Sequence, residues 1–144
     1  MTIRDMHSNM RTKTVIKAGA NASAAGQAGK IIDRQGYGGV EFIFNYGEIT
    51  ATDATIAVVV KDGDVTGTLV SVADSYLLGT EVLAGIAVGA RVSGTTKNVT
   101  KRLGYVGVKR YVQASLGTAA VSAAVKVAVV AVLHSPQVAP TDNP

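Results

Sequence analysis

Few side chains in this chain could do chemistry. It has two histidines, His7 and His134, and no cysteine. Nucleophilic catalysis asks for a histidine or equivalent base beside a Ser, Thr or Cys. His7 sits in a polar DMHSN segment and His134 closes an apolar run, so each reads as a surface or strand-end residue. A zinc site takes roughly three or four closely spaced N or S ligands, which two histidines without a cysteine do not supply. Asp62 and Asp64, with Asp53 or Asp74, offer oxygens of the kind calcium gathers about six to eight at a time. The rest of a calcium loop is missing, and Asp62-Gly63 favours a hairpin turn. Nothing singles out a carboxylate pair for glycoside chemistry. Gly36, Gly38 and Gly39 bracket Tyr37, but a phosphate-cradling loop needs a helix or a Lys-Ser/Thr after it, and the strand-like VEFIFN follows. The expectation is a protein without catalytic residues, metal or cofactor: not an enzyme.

Charge says more. The chain carries a net +4, distributed as +4 over residues 1–34, −4 over 35–97 and +4 over 98–144. Such segregation suits contact with complementary partners. Arg4, Arg11, Lys13 and Lys17 supply the first basic region, and the pairs Lys101–Arg102 and Lys109–Arg110 the second. Tyr105 and Tyr111 beside Lys109–Arg110 faintly suggest a stacking platform in a charged groove. The acidic centre and an aromatic content of 5% weigh against nucleic acid.

The elements that would position these groups read as strands. Residues 121–133 contain six valines, and β-branched crowding disfavours a helix. Val121, Ala123, Val125, Val127, Val129, Ala131 and Leu133 form a period-2 apolar face. A membrane span needs about 20 apolar residues, and Lys126 interrupts a shorter run. With Lys101–Ser115 and a turn at Gly117, this predicts two long antiparallel strands paired at the centre of a sheet. Further strands are predicted at Lys13–Lys17, Val40–Asn45, Thr55–Lys61, Val65–Val72 and within Glu81–Val92, with a turn near Tyr46-Gly47 and a single helical turn near Asp74. About eight short strands without a sustained helix suit an antiparallel β-sandwich, jelly-roll-like. Residues 1–28, where one short strand adjoins the small-residue stretch GANASAAGQAG, read as an extended basic arm. Residues 29–135 form the sandwich domain, and the Pro-rich 136–144 a tail. No apolar leader segment opens the chain, so nothing marks it for secretion.

Three pieces carry a family resemblance: the opening segment with DMHSN, DRQGYGGVEFIFNYGEIT, and LGYVGVKRYVQAS followed by a Val/Ala-rich closing strand and HSP. In this order and at this length they resemble small capsid decoration (cement) proteins of tailed bacteriophages. The resemblance implies an all-β jelly-roll subunit on the outside of an icosahedral shell, assembled in the host cytoplasm. Its partners would be the major capsid protein and further copies of itself, a dimer ahead of a trimer, with no membrane. It offers no catalytic residue or cofactor. On that reading the capsid-binding residues are Arg4, Arg11, Lys13, Lys17, Lys109 and Arg110. The apolar strand surfaces near Val58–Val60 or Ala84–Val88 would join copies to one another.

Overall fold

Period-2 alternation builds the interior. A computed structural model describes residues 5–22, 26–119 and 125–138. Strand β3 (Tyr37–Ile49) buries Val40, Phe42, Phe44 and Tyr46 on one face and turns Glu41, Ile43 and Asn45 outward. Strand β9 (Val125–Pro136) buries Val125, Val127, Val129, Ala131 and Leu133 in the same rhythm. β1 (Met10–Ala22) lies along one side of β9, and β3 pairs with its other side. β7 (Val99–Tyr105) and the two-residue β6 (Leu77–Leu78) complete a five-stranded sheet of order β1-β9-β3-β7-β6. The second sheet, of order β2-β8-β4-β5, comprises β2 (Ile32–Asp33), β8 (Tyr111–Ala119), β4 (Thr55–Gly63) and β5 (Val70–Ser71).

All pairings between these strands are antiparallel, and four of them nest, while β3–β9 and β4–β8 join the nested pairs side by side. β1 pairs with β9, β2 with β8, β3 with β7, and β4 with β5. The inner faces meet in one apolar cluster, with Phe42, Phe44 and Leu133 from one sheet and Ile56, Val60 and Val112 from the other. Each such side chain contributes about 1.5–3 kcal/mol by leaving water. The chain is an all-β antiparallel sandwich. Turn 80–86 covers part of the β4 edge. Helical turn α1 (Glu81–Ala84) is capped by Thr80, whose Oγ1 accepts from the Leu83 N–H at 3.1 Å. Ile86 then exchanges both backbone hydrogen bonds with Ile56 at 2.8 Å.

Several expectations change. The strand expected at Lys13–Lys17 runs from Met10 to Ala22 and belongs to the sheet, so the sandwich begins well before residue 29 and the arm expected over 1–28 loses that portion. Val15 and Ile16 explain why: a bulge between Thr14 and Ile16 lets both neighbours face inward, against β9. The run Lys101–Leu133 is not one hairpin. β7 ends at Tyr105, Gly117 lies inside β8, and β8 and β9 sit in opposite sheets. Alternation fixes which face a residue shows, not which strand lies beside it. β3 passes straight through Tyr46-Gly47, where a turn was expected. The return strand Val65–Val72 shrinks to Val70–Ser71, and the strand expected in Glu81–Val92 is a helical turn followed by one bridge to β4. Val121 and Ala123 lie outside the described residues, as do Arg4 and residues 139–144.

Candidate functional site

At one end of the sandwich β2, β4, β7 and β8 converge, and their polar residues lock together. In Thr55–Gly63 the inward phase runs Ile56, Val58, Val60, Asp62, so alternation carries a carboxylate inside, where it is 7% exposed. The Tyr105 hydroxyl donates to Asp62 Oδ2 at 2.7 Å and accepts from the Lys109 N–H at 3.2 Å. Burial, and then Asp62 itself, push the Tyr105 pKa well above the usual tyrosine value. Above it, the Arg110 guanidinium grips Asp33 with Nε at 3.1 Å and Nη2 at 2.7 Å, the two-pronged geometry of a charge-assisted pair. The Lys109 ammonium meets Asp64 at 2.6 Å. These contacts hold both carboxyls below the usual aspartate range and raise Lys109 and Arg110. Arg34 donates to the carbonyls of Lys109, Tyr37 and Gly38 and lies 5.7 Å from the Tyr105 ring centre, a cation–π contact.

Lys109 and Arg110 thus sit among partners of their own chain. Exposed pairs of this type add little to stability because solvent screens them, so the cluster shapes the 106–110 loop more than it stabilises the fold. Arg11, Lys13 and Lys17 lie elsewhere, on β1 at the margin of the five-stranded sheet. Arg11 and Lys13 are half-buried and Lys17 is exposed. Lys13 comes near enough to Asp33 to lower its pKa further. Arg4 lies outside the described residues, so the six basic residues are not shown as one patch.

The surface also carries unusual apolar exposure. Val82 is 86% and Leu83 71% exposed on α1, and Val108 is 80% exposed beside the ion pairs. Val58, Val60 and Ala84, expected at a subunit contact, are buried in the core instead. They lie on the inward phase of their strand or turn. Within that expected surface Ala87 and Val88 are exposed and Val59 is half-buried. The clefts are open ones. One, of about 240 Å³, runs beside Val82 and Ala57; another, of about 610 Å³, lies over Met10, Ile43, Arg102 and His134. His134 Nδ1 lies 3.1 Å from Ser135 Oγ. Among the described residues no group of three or more His, Asp and Glu side chains converges as a metal site would require. Among the described residues no helix is long and apolar enough to cross a membrane.

No family model, curated protein or solved structure matches this chain. Sequence reasoning missed Asp33 and Arg34 as site residues and, although it named Asp62, Asp64 and Tyr105, missed the Asp62–Tyr105 and Lys109–Asp64 pairings. For Asp62 a signal existed: it continues the apolar phase of TIAVVVKD, and a buried carboxylate requires a partner.

Proposed function

We propose that the protein is a structural virion subunit that seats on the outer surface of an icosahedral phage capsid and secures contacts between major capsid protein subunits. The observation that carries this reading is the exposure of Val82, Leu83, Val88 and Val108 on a sandwich that buries one apolar core between its sheets. Val82 and Leu83 adjoin on one helical turn, and contiguous apolar surface left exposed on a finished fold marks contact with other proteins. The nested strand pairing supports the jelly-roll form of the sandwich, and the resemblance of the DMHSN, DRQGYGG and LGYVGVKRYVQAS segments to cement proteins supplies the partner. Arg11, Lys13 and Lys17 are the capsid-facing cations of this proposal, together with Arg4. Lys109 and Arg110 contribute less, because Asp64 and Asp33 already engage them. Further copies of the chain are the second partner.

The test is to mix purified protein with empty shells of the cognate capsid protein, sediment them, and compare their heat tolerance with that of bare shells. Stoichiometric co-sedimentation with raised tolerance is expected. Shells that pellet bare and melt unchanged would overturn the reading.

A further inference from the structure

On the side of β4 that faces away from β8, the backbone is engaged at every second residue except Val58. Three sets of bonds fix that phase. Ile56 exchanges both backbone hydrogen bonds with Ile86 at 2.8 Å. Leu116, opposite Val58 on β8, exchanges both of its own with Gln27 at 2.7 and 2.9 Å. The Val60 carbonyl accepts from the Val72 N–H at 3.0 Å. Bonded and non-bonded pairs alternate along an antiparallel ladder, so Ile56, Val58, Val60 and Asp62 all turn their N–H and C=O away from β8. Asp62 pairs with Val70 on β5, and the Val60 N–H donates to Glu81 Oε1 at 2.5 Å. Among the described residues, no partner meets the Val58 N–H or C=O.

Those groups face the cleft of about 240 Å³ between β4 and α1, which Val58 lines together with Ala57, Glu81, Val82, Gly85 and Ala87. Val58 is 3% exposed, and a buried backbone group without a hydrogen bond destabilises the fold. Continuing the Ile56–Ile86 register would set Ala84 opposite Val58. Ala84 is already committed: its N–H donates to the Thr80 carbonyl at 3.1 Å and its carbonyl accepts from the Tyr46 hydroxyl at 2.8 Å.

Strand direction gives the cleft a polarity. The Val58 carbonyl lies toward Val60 and hence toward the Glu81 carboxylate, whereas the Val58 N–H lies toward Ile56 and Ile86. One end therefore offers two acceptors and the other a donor. A matching ligand presents an NH₂ group to the first and an oxygen to the second, as a primary carboxamide does. Its body must be small and apolar to sit against Ala57, Val82 and Ala87. A carboxylate would meet Glu81 as a like charge, and an amidinium would set an N–H against the Val58 N–H.

We propose that the cleft between β4 and α1 binds a primary carboxamide, whose oxygen accepts from the Val58 N–H and whose NH₂ donates to the Val58 carbonyl and to Glu81. A free small amide and the glutamine side chain of another protein share this chemistry. The site does not depend on the capsid reading.

The probe is benzamide, titrated into the isotope-labelled full-length protein and followed by the amide and carbonyl resonances of Val58. Saturable shifts of both are expected. N,N-dimethylbenzamide, which lacks the donors, should bind at least about tenfold more weakly, and benzoate should not bind. Ala87→Phe extends a ring into the cleft from an exposed position and should abolish benzamide binding with the melting temperature unchanged. Should Ala87→Phe fail to fold, Ala57→Leu, from the exposed face of β4, takes its place. A silent Val58, equal binding of the dimethyl compound, undiminished binding to the filled variant, or tighter binding of benzamidine would each overturn the proposal. N-acetylglutamine methylamide separates the two sources. Binding tighter than that of benzamide supports a glutamine side chain as the occupant, and the reverse order supports a free amide.

Discussion

The Tyr105–Asp62 hydrogen bond, at 2.7 Å, joins the two sheets through a buried carboxylate. Removing the hydroxyl leaves that carboxylate without this donor, a loss worth about 1–3 kcal/mol. Tyr105→Phe should therefore lower the unfolding free energy by that amount, read as a fall in the denaturant midpoint, and an unchanged midpoint would show that water replaces the hydroxyl. The exposed carboxylates act differently. Arg110 and Lys109 depress the pKa values of Asp33 and Asp64 in the folded state. A depressed carboxylate favours folding above its unfolded pKa, and that contribution disappears as pH falls through the folded value. Melting temperature should therefore drop on acidification below about pH 4. Asp33→Asn with Asp64→Asn should flatten the drop without changing its sign at neutral pH. An acid limb equally steep in the double variant would assign the effect to other groups.

At the scale of elements, β9 and the β1–β2 connection hold the sandwich in register. β9 is central to its sheet, between β1 and β3, and its inward residues from Val125 to Leu133 are buried throughout. Leu133→Ala should cost about 2–5 kcal/mol, read as a shift in the unfolding midpoint. Gly29 is tested by addition: its Cβ would enter space held by Ala114 and Val15, so Gly29→Ala should destabilise by about 1–3 kcal/mol. A neutral Gly29→Ala would show that the connection yields freely. β3, β4 and β9 were legible in the sequence because each keeps a strict alternation of apolar and outward residues over seven or more positions. β1 was underestimated because only Val15 and Ile16 anchor it, and its stability comes from β9. The exchange of sheets between β8 and β9 left no trace in either strand's own pattern. The 62–64 and 109–110 charges were visible, but their pairing depends on strand ends separated by more than forty residues in sequence.

For the whole molecule, the surface that meets partners follows from what the fold leaves over. Val82 and Leu83 contribute little to the core, so Val82→Asp with Leu83→Asp should change stability by no more than about 0.5 kcal/mol. The same pair should abolish self-association, shell binding or both, measured by analytical ultracentrifugation with and without shells. If both associations persist, the apolar turn is not the contact. A stable contact buries about 800 Å² per partner, more than one helical turn provides, so the proposed contact needs a surface beside α1 as well. A low-resolution map of empty cognate shells incubated with the protein tests the central claim most directly. The account predicts sandwich-sized density on the outer surface, bridging adjacent capsid subunits. Bare shells, or density confined to the interior or to the tail vertex, would contradict it.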